Sequence, residues 1–518
     1  MTDIPWITVL TLTPLAGGFV LLGIERDQKT SARWLALLFS GLALAQALVI
    51  WRHFDSSSGE LQFVERHNWI PTLGVEYFVG IDGLGLLMVL LSAILVPMAV
   101  LASWKAGKNT PLYFALILFL QSGLFGAFTA LNFFHWFIFW ELSLVPAFFL
   151  IRLWGGPERS GAAAQFFIYT LVGSIALLLS FLAMYLSVGS FDFIRLGELG
   201  RTGELASAFV VKLKWYSLSK EHLALVIFLG AFLGFAVKVP LMPFHTWLPQ
   251  TYAEAPTPVT LLLTGAMSKM GVYGFLRILL PIFPEQMRAL QTPLLWLAVI
   301  TIVFSAASAF AQRDLKRILA YSSVNHLGYC LLGIFAVAQF TGNDTRLAVE
   351  KAAALNGVLL QMFNHGLTAA TLFCFVGFLE QRSGGLRGLD DFGGLRKVAP
   401  LFCGLMGISL FSSLGLPGLN GFVGEFLIFK GSFSLATWAT AISTLGLLIT
   451  AVFILTVLQR VWNGPLNERW KGLGDLRWNE RLIVLPAVGL MFVIGIWPQS
   501  VIGLINSTVL QIVEQLKY

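Results

Sequence analysis

Four charged side chains stand inside stretches that are otherwise apolar. Lys238 lies in LGAFLGFAVKVPLMPFHTWLP, Lys269 in VTLLLTGAMSKMGVYGFL, Glu141 in FHWFIFWELSLVPAFFL and Glu425 in GLPGLNGFVGEFLIF. A charge at the centre of a membrane-spanning helix costs roughly 2.5–3.5 kcal/mol on the insertion scale. A chain that keeps several of them has a use for them, and the usual use is a path for protons or ions. His326 (AYSSVNHLGYC) and His365 (LLQMFNHGLTAA) add imidazoles in later apolar stretches. An unperturbed imidazole titrates at about 6.5, so it relays protons readily.

Each residue also has a plainer reading. Lys238 could snorkel to the interface, but the apolar and small run Ala231–Val237 before it argues against that. Burial and a nearby carboxylate act on a lysine in opposite directions, and a lysine balanced between them can load and release a proton. Glu141 is the natural partner of Lys238, since no other charge shares its stretch. Separating such a pair would expel the lysine's proton, which makes it a switch. The plainer reading of Glu141 is a protonated acid bonded to a carbonyl. Lys269 has no acidic neighbour in sequence and needs a wet surrounding. His326 and His365, each taken alone, could be satisfied core residues. Ser322, Ser323 and Asn325 beside His326 can hold water. Glu425 suits the terminal acceptor of a proton line. Asp82 reads as a helix-start residue and Glu254 as a positional residue in a proline-rich loop.

The elements that hold these groups must be membrane helices. Hydrophobic residues make up 57% of the chain and charged residues 12%, with a mean hydropathy of +0.79. Soluble domains carry about 25% charged residues. Roughly fourteen apolar stretches are long enough to span a bilayer: 6–24, 34–52, 79–104, 111–130, 132–151, 165–188, 222–246, 257–280, 292–311, 318–340, 352–380, 399–429 with a break, 436–459 and 482–505. Backbone groups cannot stay unpaired in lipid, so the expected fold is all-α and polytopic. The first stretch lacks a basic leader and a small-residue cleavage site, so it reads as a retained helix. Two spans are interrupted. The seventh carries Pro240, Pro243 and Pro249, and the twelfth carries Gly415, Pro417, Gly418 and Gly421. Breaks five spans apart suggest two inverted five-helix repeats, spans four to eight and nine to thirteen. The expected divisions are 1–110, 111–280, 281–460 and 461–518. Residues 53–78 and 189–221 read as polar connections or subunit contacts, the latter as a surface hairpin or interfacial helix.

The net charge of +7 does not point to nucleic acid, because the basic residues are spread over short loops. Loops after odd-numbered spans hold more of them, including Arg313, Lys316, Arg317, Arg382, Arg387, Arg396, Lys397, Arg469 and Lys471. The positive-inside rule places those loops in the cytoplasm and both termini outside or in a lumen. Cys330, Cys374 and Cys403 lack metal-ligand spacing and read as packing residues. Neither a Walker A loop nor a GxGxxG turn is present, so no nucleotide or redox cofactor is expected in this chain.

The blocks WELSLVP, AVKVPLMPFHTWLPQTYAEAPTPV, SKMGVYGFLRI, RDLKRILAYSSVNHLGY, RGLDDFGGL and LPGLNGFVGEF occur in that order. Together they resemble the antiporter-like proton-pumping subunits of respiratory complex I and its photosynthetic relatives, most firmly over residues 110–430. Glu425 stands where subunit 4, the M type, has a glutamate and its sister subunits have a lysine. The resemblance implies a coupled pair at Glu141 and Lys238, a central lysine at Lys269, relay histidines at His326 and His365, and partner membrane subunits. It also implies that quinone, NAD(P)H or ferredoxin and iron–sulfur clusters belong to those partners. The wording of 245–277 is similar to cyanobacterial forms, some linked to carbon dioxide uptake. The implied locations are a thylakoid or a bacterial inner membrane. A multisubunit sodium/proton antiporter is the main rival, and a non-transporting anchor the next.

Overall fold

Short polar side chains placed just ahead of apolar runs start several of the helices. Asp82 accepts from Gly85 N at 3.0 Å, Asn132 from Phe134 N at 3.1 Å and Asp314 from Arg317 N at 3.1 Å. Each satisfies a donor that a helix start leaves without an intrahelical partner. The computed structural model describes residues 4–213, 218–339, 342 and 344–516. Residue 340, the expected end of the tenth span, and 214–217 in the long connection lie outside the described residues.

Helices α1 (Trp6–Leu22) and α2 (Lys29–His53) precede a hairpin of strands β1 (Gln62–Ile70) and β2 (Val75–Ile81). Helices α3 (Gly83–Ala102), α4 (Thr110–Thr129), α5 (Phe133–Trp154) and α6 (Arg159–Val188) follow. The connection 189–221 contains two short helices, α7 (Phe193–Arg201) and α8 (Glu204–Leu213). Next come α9 (Lys220–Lys238), α10 (Trp247–Glu254), α11 (Thr257–Ile282), α12 (Gln291–Ala311), α13 (Leu315–Val337) and α14 (Thr345–Ser383). The chain closes with α15 (Pro400–Ser413), α16 (Asn420–Leu435), α17 (Thr437–Trp462), α18 (Trp478–Ile496) and α19 (Gln499–Gln515).

Among the described residues, twelve helices are long and apolar enough to cross a membrane. The other two expected spans are present in shorter form. The first is the 17-residue α1, and the twelfth is split into α15 and α16, of 14 and 16 residues. The apolar windows of α11 and α14 are wholly buried, against 28% of that of α2. The centre of the bundle is thus built from the helices that carry Lys269 and His365.

The expected polytopic helical architecture is present, with three local differences. A single hairpin is added to it: β1 and β2 pair antiparallel, with Arg66 opposite Phe78 and His67 opposite Tyr77. Residues 79–81 belong to β2, and the third span starts at Gly83. The β-branched Val75, Val79 and Ile81 suit a half-covered strand, and Gly74, at φ 60°, makes the turn. The seventh span stops at Lys238, where Pro240 removes a backbone donor, and its remainder, 239–246, is a run of turns that leads into α10. The last span ends at Ile496, not 505. Pro498 breaks it, and α19 then packs on α3 and α14. Thr508 accepts from Gly83 N at 3.0 Å, and Asn356 donates to Asn506 at 2.9 Å.

Candidate functional site

Lys238 is the last residue of α9 and is 3% exposed. Its ammonium lies 4.7 Å from the ring centroid of Trp140 and has no hydrogen-bond partner among the described residues. The Val237 carbonyl freed by the break is taken by the Trp247 indole, at 3.1 Å. An aromatic face therefore stands against the ammonium, and the freed carbonyl is engaged elsewhere. Glu141 follows Trp140 on α5 but forms no ion pair with Lys238, on which its charge acts only through space. It shares a helix face with the exposed Ile138, Val145 and Phe149 and is itself half-buried. The two residues expected to pair both adjoin Trp140: Lys238 lies over its ring, and Glu141 is the next residue in α5.

The backbone of α11 widens into a π turn at Leu263–Met267, where Ser268 N bonds Leu263 O five residues back. Such turns recur at functional sites because they displace carbonyls from the regular ladder. Here the Thr264 carbonyl accepts from Lys269 Nζ at 2.5 Å and from Ser268 Oγ at 2.9 Å. A cavity lined by Lys238, Trp247, Tyr252, Leu263, Met267 and Ser268 separates the tip of α9 from this turn. It offers about 10 Å³ to the centre of a water molecule, which is room for about one. The Tyr252 hydroxyl lies against Thr264 and Ser268.

From Lys269 onward the groups are in contact. Lys269, fully buried, donates to His365 Nδ1 at 2.8 Å. The His365 ring stacks on His326, with centroids 5.1 Å apart and planes at 18°. His326 Nε2 is 2.9 Å from Ser413 O and 3.3 Å from Glu425 Oε1, while its Nδ1 is 2.7 Å from Ser322 O. Both ring nitrogens face acceptors, an arrangement that suits the doubly protonated ring with Glu425 as its counter-ion. Gln361 Nε2 donates to the same carboxylate oxygen at 3.3 Å. Gly415, at φ 79°, makes the break that seats the carboxylate: a Cβ there would lie 2.6 Å from Glu425 Oε2.

The structure thus brings Lys269, His365, His326 and Glu425 into one line. It places Lys238 one small cavity away and Glu141 beyond Trp140. Ser323 joins the line through Thr264 Oγ1 at 3.0 Å. Asn325 turns away, donating to Tyr329 and Thr450 at 2.9 Å each. Asp82 caps α3 and also pairs with Arg277 of α11. Glu254 accepts from Glu158 N at 2.9 Å and meets Arg387 at 3.5 Å. Sequence reasoning missed Trp140, Tyr252, Thr264, Ser268 and Gln361. The hydroxyls Thr257, Thr260, Thr264 and Ser268, spaced by three and four, were a helical stripe that could have flagged α11. Among the described residues, no cluster of three or more His, Cys, Asp or Glu could hold a metal ion.

Residues 130–451 match the family described as NADH:quinone oxidoreductase/Mrp antiporter, transmembrane. Residues 53–127 match the amino terminus of NADH-ubiquinone oxidoreductase chain 4. NADH-quinone oxidoreductase subunit M of Rhodobacter capsulatus is 34% identical over 513 residues, 98% of this chain and 96% of that protein. An NAD(P)H-quinone oxidoreductase chain 4 of Thermosynechococcus vestitus is 35% identical over 505 residues, 96% of this chain and 89% of that one. A chain of the respiratory complex I from Thermus thermophilus superposes with TM-score 0.83 at 28% identity, covering 98% of this chain and 99% of that one. A chain of the Mrp complex from a Dietzia species has TM-score 0.83 at 19% identity, covering 99% of each, and shares the fold.

Proposed function

This chain belongs to the NADH:quinone oxidoreductase/Mrp antiporter family, in its subunit 4 or M branch, and from that premise we propose that it moves protons along Lys238, Lys269, His365, His326 and Glu425. It is a membrane subunit of a redox-driven proton translocase, an NADH-quinone oxidoreductase, and works with other membrane subunits. The redox cofactors belong to those partners. The observation that carries the pathway is the buried line from Lys269 through two imidazoles to Glu425.

A proton on Lys269 passes to His365 Nδ1, breaking one N–H bond and making another. The stacked rings interrupt the line, because neither ring aims an N–H at the other. That step needs a ring rotation or a bridging water, so it is a natural gate. His326, charged at rest, first gives its Nε2 proton to Glu425 and is then reprotonated by the proton that leaves His365. Glu141, on an outward helix face, would answer to the neighbouring subunit and act on Lys238 through space, since a carboxylate facing lipid alone is costly. The halves 111–280 and 281–460 are the two repeats of this device, and both termini face the side opposite the arginine-rich loops.

Replacing Lys269 by Ala, or Glu425 by Gln, in the native complex tests the pathway. Redox-driven proton uptake by inverted vesicles should fall about tenfold or more with assembly intact. Unchanged uptake would overturn the reading. The sodium/proton antiporter alternative instead requires that turnover depend on sodium at constant ionic strength. A photosynthetic membrane, with plastoquinone as acceptor and a link to carbon dioxide uptake, is a finer placement supported by the likeness to the cyanobacterial chain. A bacterial inner membrane is supported equally by the likeness to the M subunits, and identifying the co-purifying subunits separates the two.

A further inference from the structure

A second buried group of charges lies at the end of the bundle that carries the arginine-rich short loops. Lys316, whose side chain is 4% exposed, meets Glu380 at 3.0 Å and donates to Ala255 O at 3.3 Å. Glu380, 18% exposed, accepts from Thr257 Oγ1 at 2.7 Å and meets Arg387 at 3.5 Å. Arg387 also bonds Asp314 at 2.5 Å and Ala253 O at 2.6 Å, and meets Glu254 at 3.5 Å. The groups facing Lys316 are therefore Glu380, Arg387 and Asp314, with Glu254 behind Arg387.

Thr257 opens α11, and Lys269 sits about 18 Å further along that helix. Between them Thr260, Thr264 and Ser268 keep to one side. Thr260 Oγ1 donates to Tyr252 O at 3.1 Å. Thr264 Oγ1 meets Ser323 Oγ, and Ser323 lies seven residues, close to two turns, above Lys316 on α13. The hydroxyls of α11 thus form a polar seam that meets α13 at two places, near the Lys316–Glu380 pair and at Ser323. Its lower end is Thr257 with the Lys316–Glu380 pair, and its upper end is Thr264 and Ser323 at Lys269.

We propose that the Lys316–Glu380 pair is the loading gate through which protons from the arginine-rich face reach Lys269. The proposal rests on the relay described above and adds its source. Lys316 ammonium releases one proton into the seam, where each hydroxyl accepts one and gives one up, and the Lys269 amine becomes ammonium. The more exposed Glu380 then takes one proton from water and passes it to Lys316, so one proton enters for each that leaves. Arg387 keeps its charge throughout and holds Glu380, Asp314 and Glu254 in place. Fixing helices alone would not call for this chemistry. A buried ion pair is weak evidence of stability, and a guanidinium would clasp a carboxylate better than an ammonium does.

Lys316→Arg in the native complex separates the two roles. Arginine keeps the charge and the ion pair but does not release a proton. Assembly should match the unaltered complex, while redox-driven proton uptake by inverted vesicles falls about tenfold or more. Uptake at the unaltered rate, with Lys269→Ala inactive, would overturn the gate and leave the relay standing. Unaltered uptake in Lys269→Ala as well would mean that the relay itself has failed. If Lys316→Arg does not assemble, Glu380→Gln decides: it keeps an acceptor for Thr257 but cannot take up a proton. Loss of uptake supports the gate, and normal uptake overturns it.

Discussion

Gly415 offers a test that touches no titratable group. Its φ of 79° is a conformation that other residues adopt at a cost, and an added Cβ would sit 2.6 Å from Glu425 Oε2. Ordinary contact starts at 3.4 Å, so Gly415→Ala must move the carboxylate by about 3.4 − 2.6 = 0.8 Å. The His326–Glu425 separation of 3.3 Å would then reach up to about 4.1 Å, past hydrogen-bond range. A hydrogen bond to a charged group contributes about 1.5–3 kcal/mol, which corresponds to a slowing of the proton step by about tenfold or more. Gly418 supplies the control. It has φ 93° with nothing within 4 Å of its would-be Cβ. Gly418→Ala therefore shares the backbone cost, about 1–2 kcal/mol, and spares the carboxylate. Both complexes are purified, their assembly is compared by native gel, and proton uptake is measured in vesicles. Equal uptake in the two variants would refute the claim that the break at Gly415 exists to seat Glu425.

Tyr252→Phe combined with Ser268→Ala removes the hydroxyls between Lys238 and Lys269 and leaves the apolar wall in place. Uptake should fall severalfold with assembly unchanged; full activity would mean that Lys238 feeds Lys269 by another way. Asp82→Ala acts on structure instead. It removes the cap of α3 and leaves Arg277 without its buried partner, a loss of about 3–5 kcal/mol. The expected result is less assembled complex and a lower Tm, with normal turnover in whatever assembles; normal amounts at normal Tm would contradict it.

The spans, the two breaks and the six residues Glu141, Lys238, Lys269, His326, His365 and Glu425 stand out in the sequence, because each of those charges and imidazoles violates the apolar pattern that a bilayer imposes; Lys316 and Glu380 do not, since they lie near helix ends where charge is ordinary. What escaped notice obeys that pattern. Thr257, Thr260, Thr264 and Ser268 are small hydroxyls that a transmembrane helix tolerates anywhere, since each can bond its own preceding carbonyl, as Ser268 does. Their importance comes from burial on every side of α11, a property of the bundle and not of the segment. Trp140 was hidden for the opposite reason: an indole in an aromatic-rich helix looks like packing until a lysine is found over its ring. The hairpin escaped because β1 and the first part of β2 read as a polar connection and residues 79–81 as the start of the helix they lead into, and only the Asp82 cap marks the boundary.

The distribution of partners along the line carries a last physical point. Lys269, His365, His326 and Glu425 all find one another or a carbonyl, whereas Lys238 Nζ and Glu141 Oε1 find no hydrogen bond among the described residues. A buried polar group without a partner costs about 1–3 kcal/mol, and more when charged. The line is therefore comfortable at its Glu425 end and poised at its Lys238 end. Glu141 shares its helix face with exposed apolar side chains, so whatever packs there sets the charge that Lys238 feels. A neighbour that brings a cation near Glu141 screens its pull and releases the lysine's proton toward the cavity at Ser268. A neighbour that withdraws the cation restores the pull and lets Lys238 reload. Coupling of this kind needs no large movement in the chain, only a change of charge beside Glu141.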